Sequence, residues 1–304
     1  MTSLPSSPVA GLSRRRMLLG AGVTAGALLG ALPGASRAAA APATRAGKAP
    51  VHDVVVAAGS VTAPAKVPAG PVSFRVSTPT EGGMGLPLVQ VRVPIDKYLD
   101  DLTAMTNAAT PAEAAAAAAV VESESENFGG ATVQPGTDAV FTQILWPGTY
   151  YFIAYDFDSS ERPAARKLTV EGVGRGKSPK PVDVIRHTRT GFWVSGGGQL
   201  HADGTHLFVN HSGVLNEAVL LPVRPGTTAA EVDAFFAALR DGTTPPSYPI
   251  TGGAAGSPPL SPGRSARVGL TLPRGGYVLS SWITSTSTGR PRAFDGFYTL
   301  VTLV

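Results

Sequence analysis

Residues 275–297, GGYVLSSWITSTSTGRPRAFDGF, contain a dense apolar segment, a polar loop and the start of a returning segment. The apolar segment is rich in β-branched and aromatic residues, which is typical of a strand buried on both faces. The stretch LWPGTYYFIAY, residues 145–155, shows the same order of a glycine turn followed by a dense strand. Two strands of one kind, far apart in the chain, indicate a repeated unit.

Three further pairs of segments support this repeat, and they occur in the same order in both parts of the chain. The pairs are VPAGPVSFRVS (67–77) with LHADGTHLFVN (200–210), LVQVRV (88–93) with AVLLPV (218–223), and FGGATVQPGT (128–137) with ITGGAAGSPPLSPGR (250–264). We therefore predict two copies of one domain, residues 51–172 and 181–304. The Gly/Lys-rich segment 173–180 is predicted to be the linker.

Most segments of each copy are short, alternating and bounded by Gly or Pro, which predicts an antiparallel β-sandwich. Short helices interrupt the strands. Thr228 with Glu231, and Thr110 with Glu113, have the spacing of capping boxes, and Asp96 is a candidate cap for a third helix. The run ESESEN, 122–127, is predicted to be solvated, and the large aromatic residues are predicted to lie mostly in the cores.

The first forty residues have the pattern of an export signal. Arginines 14–16 precede an apolar run and a small-residue stretch, and the order SRRRML resembles a twin-arginine signal. The apolar run is shorter than the ~20 residues that span a bilayer. We predict a signal peptide over 1–40, a flexible leader remnant over 41–50, secretion by the twin-arginine route and no membrane span after cleavage.

Removing this leader changes the charge balance. The chain has 25 Lys+Arg and 21 Asp+Glu, and residues 1–40 hold four arginines and no acid, so the remainder has 21 of each. A net charge near zero gives no support for a nucleic-acid partner. The chain has no cysteine, which excludes thiol catalysis, zinc–thiolate sites and a copper thiolate.

The second copy resembles the cupredoxin-like domains of exported bacterial proteins. The matching features are a strand ending at Asn210, the pair Asn216–Glu217, the strand AVLLPV, the helix segment RPGTTAAEVDAFF, the strand RGGYVLSSW and the loop GRPRAFDGF. The resemblance implies an all-β fold: two tandem cupredoxin-like Greek-key β-sandwiches with short inserted helices. The likeness covers the second copy and is fainter in the first.

The resemblance also implies where copper ligands would stand. Copper-binding members place histidine at Asn216, cysteine at Ser281, histidine at Arg292 and methionine at Phe297, and all four residues differ here. In the first copy, Leu86 and Ala154 take the corresponding positions of the first histidine and of the cysteine. Type 1 copper needs a soft thiolate and two imidazoles, so we predict degenerate copper positions and no cofactor.

Other candidate sites carry weaker patterns. His201, His206 and His211 lie around one strand. We interpret them as exposed strand and loop histidines, and the alternative is that they are ligands of a weak metal site. Arg290, Arg292 and Asp295 lie on the final loop and form a candidate binding loop. No G-x-S-x-G motif is present, and no enzymatic activity is predicted.

The sequence therefore predicts an exported, non-enzymatic binding or structural protein. Its partner is expected to be an unknown extracellular or cell-envelope protein. The alternative is a metal-handling or electron-transfer protein with a non-blue metal site near His206.

Overall fold

The computed structural model describes residues 48–304, which form two stacked β-sheets of eight and ten strands with three α-helices. The predicted all-β class with short inserted helices is confirmed, because the strands form two stacked sheets and the helices lie between consecutive strands. The predicted signal peptide, 1–40, and residues 41–47 of the predicted leader remnant lie outside the described residues. Within residues 48–304, no helix has the length and apolar character needed to cross a bilayer.

The described part of the first half, residues 48–172, supplies nine strands and two helices. The strands are β1 Val51–Ala57, β2 Ser60–Thr62, β3 Lys66–Pro68, β4 Gly70–Ser77, β5 Met84–Val91, β6 Ser125–Val133, β7 Ala139–Leu145, β8 Gly148–Asp156 and β9 Ala164–Glu171. The helices α1 Ile95–Thr106 and α2 Pro111–Glu124 lie between β5 and β6.

The second half supplies nine strands and one helix. The strands are β10 Asp183–Thr188, β11 Gly191–Val194, β12 Gln199–Leu200, β13 Asp203–Asn210, β14 Asn216–Pro222, β15 Ala255–Leu260, β16 Ser265–Thr271, β17 Gly275–Ser280 and β18 Tyr298–Leu303. The helix α3 Ala229–Arg240 lies between β14 and β15, and a 3-10 turn Arg292–Asp295 precedes β18.

Both sheets run across the boundary between the halves. Within each sheet, the strand order of the second half is the mirror image of the strand order of the first half. The orders are β11-β10-β13-β16-β7-β4-β1-β2 and β12-β18-β17-β14-β15-β6-β5-β8-β9-β3. Read outwards from the junction, the two halves therefore present corresponding strands in the same sequence. The segment pairs of the repeat occupy mirrored places: β4 with β13, β5 with β14, β6 with β15, and β8 with β17.

The register at the junction has two-fold character. β7 and β16 are antiparallel, with Phe141 opposite Val268 and Thr142 opposite Arg267. β7 and β16 hold corresponding places in the two halves, so their antiparallel pairing resembles the self-complementary contact of a symmetric dimer. In the ten-stranded sheet, β6 and β15 form the antiparallel pair at the junction. The division into domains 51–172 and 181–304 stays a prediction, and the mirrored strand order is consistent with it. Both hydrogen-bonded sheets nevertheless continue across the predicted domain boundary.

One apolar cluster fills the space between the sheets and takes side chains from both halves. Phe74 stacks on Phe141 with ring centroids 5.0 Å apart, and Phe152 meets Phe74 edge-on at 5.1 Å. Phe208 and Leu279 of the second half belong to the same cluster and are fully buried. The halves therefore share a core as well as their sheets.

Two of the three helix starts agree with the sequence. The Thr110 and Thr228 side chains each accept the N3 amide of their helix in a reciprocal capping box, as predicted. The prediction for Asp96 is wrong, because α1 begins at Ile95 after Pro94 and Asp96 lies inside the first turn. α3 buries its apolar side on the outer face of the ten-stranded sheet, through Val232, Phe235, Phe236 and Leu239.

Three other expectations differ from the structure. The acidic run 122–127 is not a solvated loop, because β6 begins at Ser125 and Glu124, Ser125 and Asn127 are buried. Trp146 and Trp193 are 68% and 46% exposed rather than in the cores. The predicted leader remnant and linker contact each other, since the amide of Ala49 donates to the carbonyl of Lys177 at 3.2 Å.

Candidate functional site

Three of the four degenerate copper positions meet at one end of β17. The amide of Ser281 donates to the carbonyl of Phe297 at 3.0 Å, and the amide of Phe297 donates to the carbonyl of Arg292 at 3.1 Å. The Arg292 guanidinium lies over the Phe297 ring, 4.9 Å from its centroid. The long polar loop thus folds back onto the end of the strand, as the order of the segments suggested.

The fourth position, Asn216, begins β14, the strand beside β17. Val219 is opposite Ser280 in this antiparallel pair, so Asn216, which begins β14, and Ser281, which follows β17, lie at the same end of the two strands. Side chains alternate along a strand, and Ser281 follows Leu279 on the face that carries the shared core. Asn216 and Ser281 are both fully buried.

The side chains at these positions do not fit type 1 copper. Ser281 offers a hydroxyl instead of a thiolate, and Arg292 brings a cation to the place of an imidazole. Burial lowers the pKa of the Arg292 guanidinium, while the charges of Glu122 and Asp295 oppose this shift. The Ser281 hydroxyl has no hydrogen-bond partner within residues 48–304. A buried cation and an unsatisfied hydroxyl thus occupy the implied copper region.

His187, which the sequence analysis did not single out, belongs to the same buried region. It is fully buried, and its ring meets Phe192 edge-on at 5.4 Å. Burial first, and then the positive charges of Arg292 and His211, lower the pKa of His187 to about 3. The alternation of the segment DVIRHT, which places Asp183, Ile185 and His187 on one face, is the signal that points to it.

The three candidate metal histidines do not converge. His201 and His206 share one carboxylate, with their Nδ1 atoms 3.1 Å and 3.2 Å from the oxygens of Asp183. Burial lowers the pKa of His206, and the Asp183 charge opposes that shift. His211 lies apart, where its amide donates to the carbonyl of His187 at 2.9 Å. Across the described chain, no three His, Asp or Glu side chains are arranged to hold a metal ion.

A cavity of about 670 Å³ lies between the two halves, on the outer face of the ten-stranded sheet. The first half supplies one wall from α2, through Ala114, Ala118 and Val121. The second half supplies the opposite wall from the loop after β17 and the end of α3, including Trp282 and Leu239. This cavity depends on the junction, because neither half provides both walls.

Two carboxylates line this cavity, and each accepts a backbone amide of the second half. Glu122 of α2 accepts from the amide of Leu215 at 2.7 Å, which links the two halves. Glu217 of β14 accepts from the amide of Trp282 at 2.8 Å, and it is only 6% exposed. Tyr98 of α1 is also buried in the lining, and that burial raises the pKa of its hydroxyl to about 12.

The predicted binding loop lies partly at the opening of this cavity. Arg290 is exposed, lines the cavity and donates from Nη1 to the carbonyl of Arg240 at 3.3 Å. Asp295 is exposed and accepts from the hydroxyl of Thr288 at 2.9 Å. Arg292 differs from the expectation, because it is 8% exposed and not available as a surface contact. Of the three predicted residues, Arg290 alone lines the cavity.

Comparisons with known proteins give likeness of fold alone. The sequence matches no protein-family model and no curated protein. Among solved structures, auracyanin B is 20% identical over 42% of this chain and 92% of its own, with a TM-score of 0.25. A multicopper oxidase is 10% identical over 84% of this chain and 88% of its own, with a TM-score of 0.23.

The copper nitrite reductase of Nitrosomonas europaea is 11% identical over 84% of this chain and 94% of its own, with a TM-score of 0.22. The names of the oxidase and of the nitrite reductase include copper. With TM-scores below 0.5, the likenesses carry no argument about what this chain binds.

Proposed function

We propose that this chain is an exported, non-enzymatic binding protein made of two copper-free cupredoxin-like domains, and that the cavity between its halves binds a small molecule. The single observation that carries the proposal is the cavity of about 670 Å³ with one wall from each half. Small-molecule sites are concave, span about 300–1,000 Å³ and occur preferentially where domains meet. The extracellular or cell-envelope protein partner expected from the sequence stays a prediction.

The composition of the lining supports binding rather than catalysis. Aromatic, proline and aliphatic side chains make up much of it, and the polar side chains among them can orient a ligand. Among the described residues of the lining there is no histidine, the side chain most often used to transfer protons near neutral pH. The titratable side chains that line the cavity are Tyr98, Tyr155, Glu122, Glu217, Arg240 and Arg290.

The buried groups in the implied copper region support the copper-free part of the proposal. Arg292 is buried, and its guanidinium stacks on the Phe297 ring. Copper could enter this region only if the Arg292 side chain moved out of it. The metal would then still lack a thiolate ligand, because the chain has no cysteine.

A matched pair of variants on α2 tests the proposed site. Ala114 lines the cavity, whereas Ala116 is exposed on another side of the same helix. The side chain of Ala114→Trp extends into the cavity and occupies part of it, whereas the side chain of Ala116→Trp extends into solvent. We expect a fragment screen, read by thermal shift and by calorimetry, to give ligands that bind the wild type and the Ala116→Trp variant but not the Ala114→Trp variant.

Two results would overturn the proposal. One is a screen in which no fragment binds the wild-type chain. The other is a set of fragments whose affinity is unchanged in the Ala114→Trp variant, since those fragments bind elsewhere. Circular dichroism of both variants confirms that the fold is retained before affinities are compared.

The export part of the proposal rests on the leader sequence. Lysine substitution of Arg14 and Arg15 together is expected to hold the precursor in the cytoplasm, because the twin-arginine pathway reads that pair. Fractionation of cells that express the wild type and the variant measures this. Equal export of both chains would contradict the proposed route.

A further inference from the structure

We infer that one end of the first half is a docking surface for an anionic lipid bilayer, and that the Trp146 side chain inserts into the headgroup region. The juxtaposition that carries the inference is two exposed apolar side chains beside three exposed cations that form no ion pair within residues 48–304. We call this patch the Trp146 surface. It lies apart from the cavity, since none of its residues lines that space. Its residues are Trp146, Val173, Lys48, Arg175 and Lys177.

Trp146 is exposed in a turn that does not depend on its side chain. It follows β7, is 68% exposed and forms no aromatic or cation–π contact within residues 48–304. The turn is held through its backbone, because the Tyr150 hydroxyl donates to the carbonyl of Trp146 at 3.2 Å. The second half repeats this bond from Tyr277 to the carbonyl of Pro273 at 2.9 Å. The same turn therefore forms without an aromatic residue, and the exposed indole is free to contact a partner.

The strand pairing brings Val173 to the same end of the first half. Gly148 is opposite Val170 in the pairing of β8 with β9, so the turn that carries Trp146 and the residues that follow β9 lie at one end of these strands. The residue after Val173 is also hydrogen-bonded, at 2.6 Å, to the residue before β4. The start of β4 pairs with the end of β7, where Trp146 follows. Val173 is 87% exposed, which makes a second apolar side chain at this end.

The three cations lie at this end as well. Arg175 follows Val173 by two residues, and Lys177 pairs with Lys48 in a short parallel bridge just before β1. β1 and β4 are parallel neighbours, so the residues that precede β1 lie near the start of β4. The start of β4 is the place where Trp146 and Val173 come together.

The Trp146 surface carries unopposed positive charge. The acid that ends β9, Glu171, accepts from Lys66 Nζ at 2.9 Å, so this pair adds no net charge. Each basic residue close to an anionic membrane strengthens binding about fivefold, and this attraction fades beyond a Debye length of about 8 Å at physiological salt. Charge complementarity therefore favours an anionic partner.

An anionic bilayer complements both parts of the surface. Tryptophan is enriched at the boundary between headgroups and water, because its ring is apolar and its N–H is polar. Basic side chains beside apolar ones add attraction to anionic lipids, as in proteins that lie on a membrane. A soluble polyanion would contact the cations and leave Trp146 and Val173 in water.

Vesicle sedimentation tests the inference. The probes are vesicles of phosphatidylcholine alone, and vesicles of phosphatidylcholine and phosphatidylglycerol in a ratio of two to one. The chain without its predicted signal peptide, residues 41–304, is used, because the apolar run of the leader would itself bind lipid. That chain contains every described residue. We expect binding to the anionic vesicles to be at least about tenfold tighter than to the neutral ones, and to weaken as salt is raised.

Lipids brominated on their acyl chains test whether Trp146 enters the bilayer, because bromine quenches an inserted indole. Trp193 is the matched tryptophan, since it is 46% exposed and lies four strands from β7 in the eight-stranded sheet. We expect brominated anionic vesicles to quench the Trp193→Phe variant, which keeps Trp146, and to leave the Trp146→Phe variant almost unchanged. Trp282 is buried and is present in both variants.

The Lys177→Gln variant tests the electrostatic part, and we expect it to weaken binding to anionic vesicles about fivefold. Arg274→Gln is the matched control, because Arg274 is also exposed and forms no ion pair in the described chain. β7 and β16 are antiparallel, so Arg274, which follows β16, lies at the other end of the sheets from Trp146. If a variant does not fold, the two kinds of vesicle with the wild type still decide the question.

Four results would overturn the inference. They are equal binding to the two kinds of vesicle, no binding to either, bound anionic vesicles that do not quench Trp146, and an affinity unchanged by Lys177→Gln. Binding to polyglutamate but not to vesicles would also overturn it, in favour of an acidic protein partner. None of these results bears on the cavity, whose test uses variants of α2.

Discussion

Truncation of Phe141 to alanine is expected to destabilise both halves of the protein together. Phe141 is fully buried in β7, stacks on Phe74 at 5.0 Å and lies opposite Val268 of the second half. Removal of a buried phenylalanine costs about 3–5 kcal/mol, because transfer energy is lost and a cavity remains. Each aromatic pair adds about 0.5–1.5 kcal/mol beyond buried area, so we expect the upper part of this range.

The assay follows thermal unfolding with two signals. A loss of about 4–5 kcal/mol corresponds to a midpoint lower by about 8–20 °C for a chain of this size. Far-UV circular dichroism reports both sheets, and Trp282 fluorescence reports the second half when Trp146 and Trp193, both exposed, are replaced by phenylalanine. Ile144→Ala is the control on the same strand, since Ile144 is 47% exposed and its truncation should change stability little.

Both signals are expected to shift by the same amount, because the sheets and the core are continuous across the junction. A Trp282 transition that keeps its wild-type midpoint, while part of the circular dichroism signal melts early, would refute it. That result would mean that the halves unfold as independent units.

Three further changes test other parts of the structure. Ser281→Ala removes a buried hydroxyl that lacks a partner in the described residues and should raise the free energy of unfolding by about 1 kcal/mol in a denaturant titration; a loss would contradict this. Burial and nearby cations lower the pKa of His187 from 6.5 to about 3, so below pH 6.5 the unfolded chain binds the extra proton. This group should therefore cost about 1.4 kcal/mol of stability per pH unit as the pH falls from about 6.5 towards 3, and His187→Leu should remove that part of the acid sensitivity. Gly289 has a φ of +66°, and an added Cβ would collide with the carbonyl of Pro111, so Gly289→Ala should cost more than about 1 kcal/mol and speed hydrogen exchange at the start of α2. Gly226→Ala, with open space around the added Cβ, is the control for the cost of the dihedral alone.

The local parts of the fold were predictable from the sequence. Strands are set by alternation and by Gly and Pro turns, so the four repeated segments became corresponding strands of the two halves. The capping boxes at Thr110 and Thr228 were predictable for the same reason, since a side chain and an amide three residues apart form them. Asp96 shows the limit of this approach. The N-cap of α1 is Pro94, and the helix begins at Ile95, before the predicted cap.

The junction between the halves was not predictable. Which strands become neighbours across it depends on the packing of residues far apart in the chain, and no local pattern encodes the pairing of β7 with β16. The cavity follows from this pairing, so its lining was equally hidden. Glu122 was part of an acidic run expected to be solvated, and only the fold brings it to the amide of Leu215.

The site around Ser281 was predictable as a set of positions and not as an arrangement of charges. The resemblance located Ser281, Arg292 and Phe297 at one end of a strand, where the structure also brings them together. The burial of Arg292 was not predicted, because an arginine in a polar loop is usually exposed. The burial of His187 could have been predicted, because apolar and polar positions alternate along its strand. Amino-acid composition gives no sign of a single buried histidine.

We propose that this chain binds a small molecule between its halves and holds no copper. The most direct measurement is the native mass of the chain after incubation with a fragment from the screen and equimolar Cu(II). We expect one fragment per wild-type chain, one per Ala116→Trp chain, none on Ala114→Trp and no retained copper. A wild-type chain without fragment, or one that keeps a stoichiometric copper ion, would contradict the account.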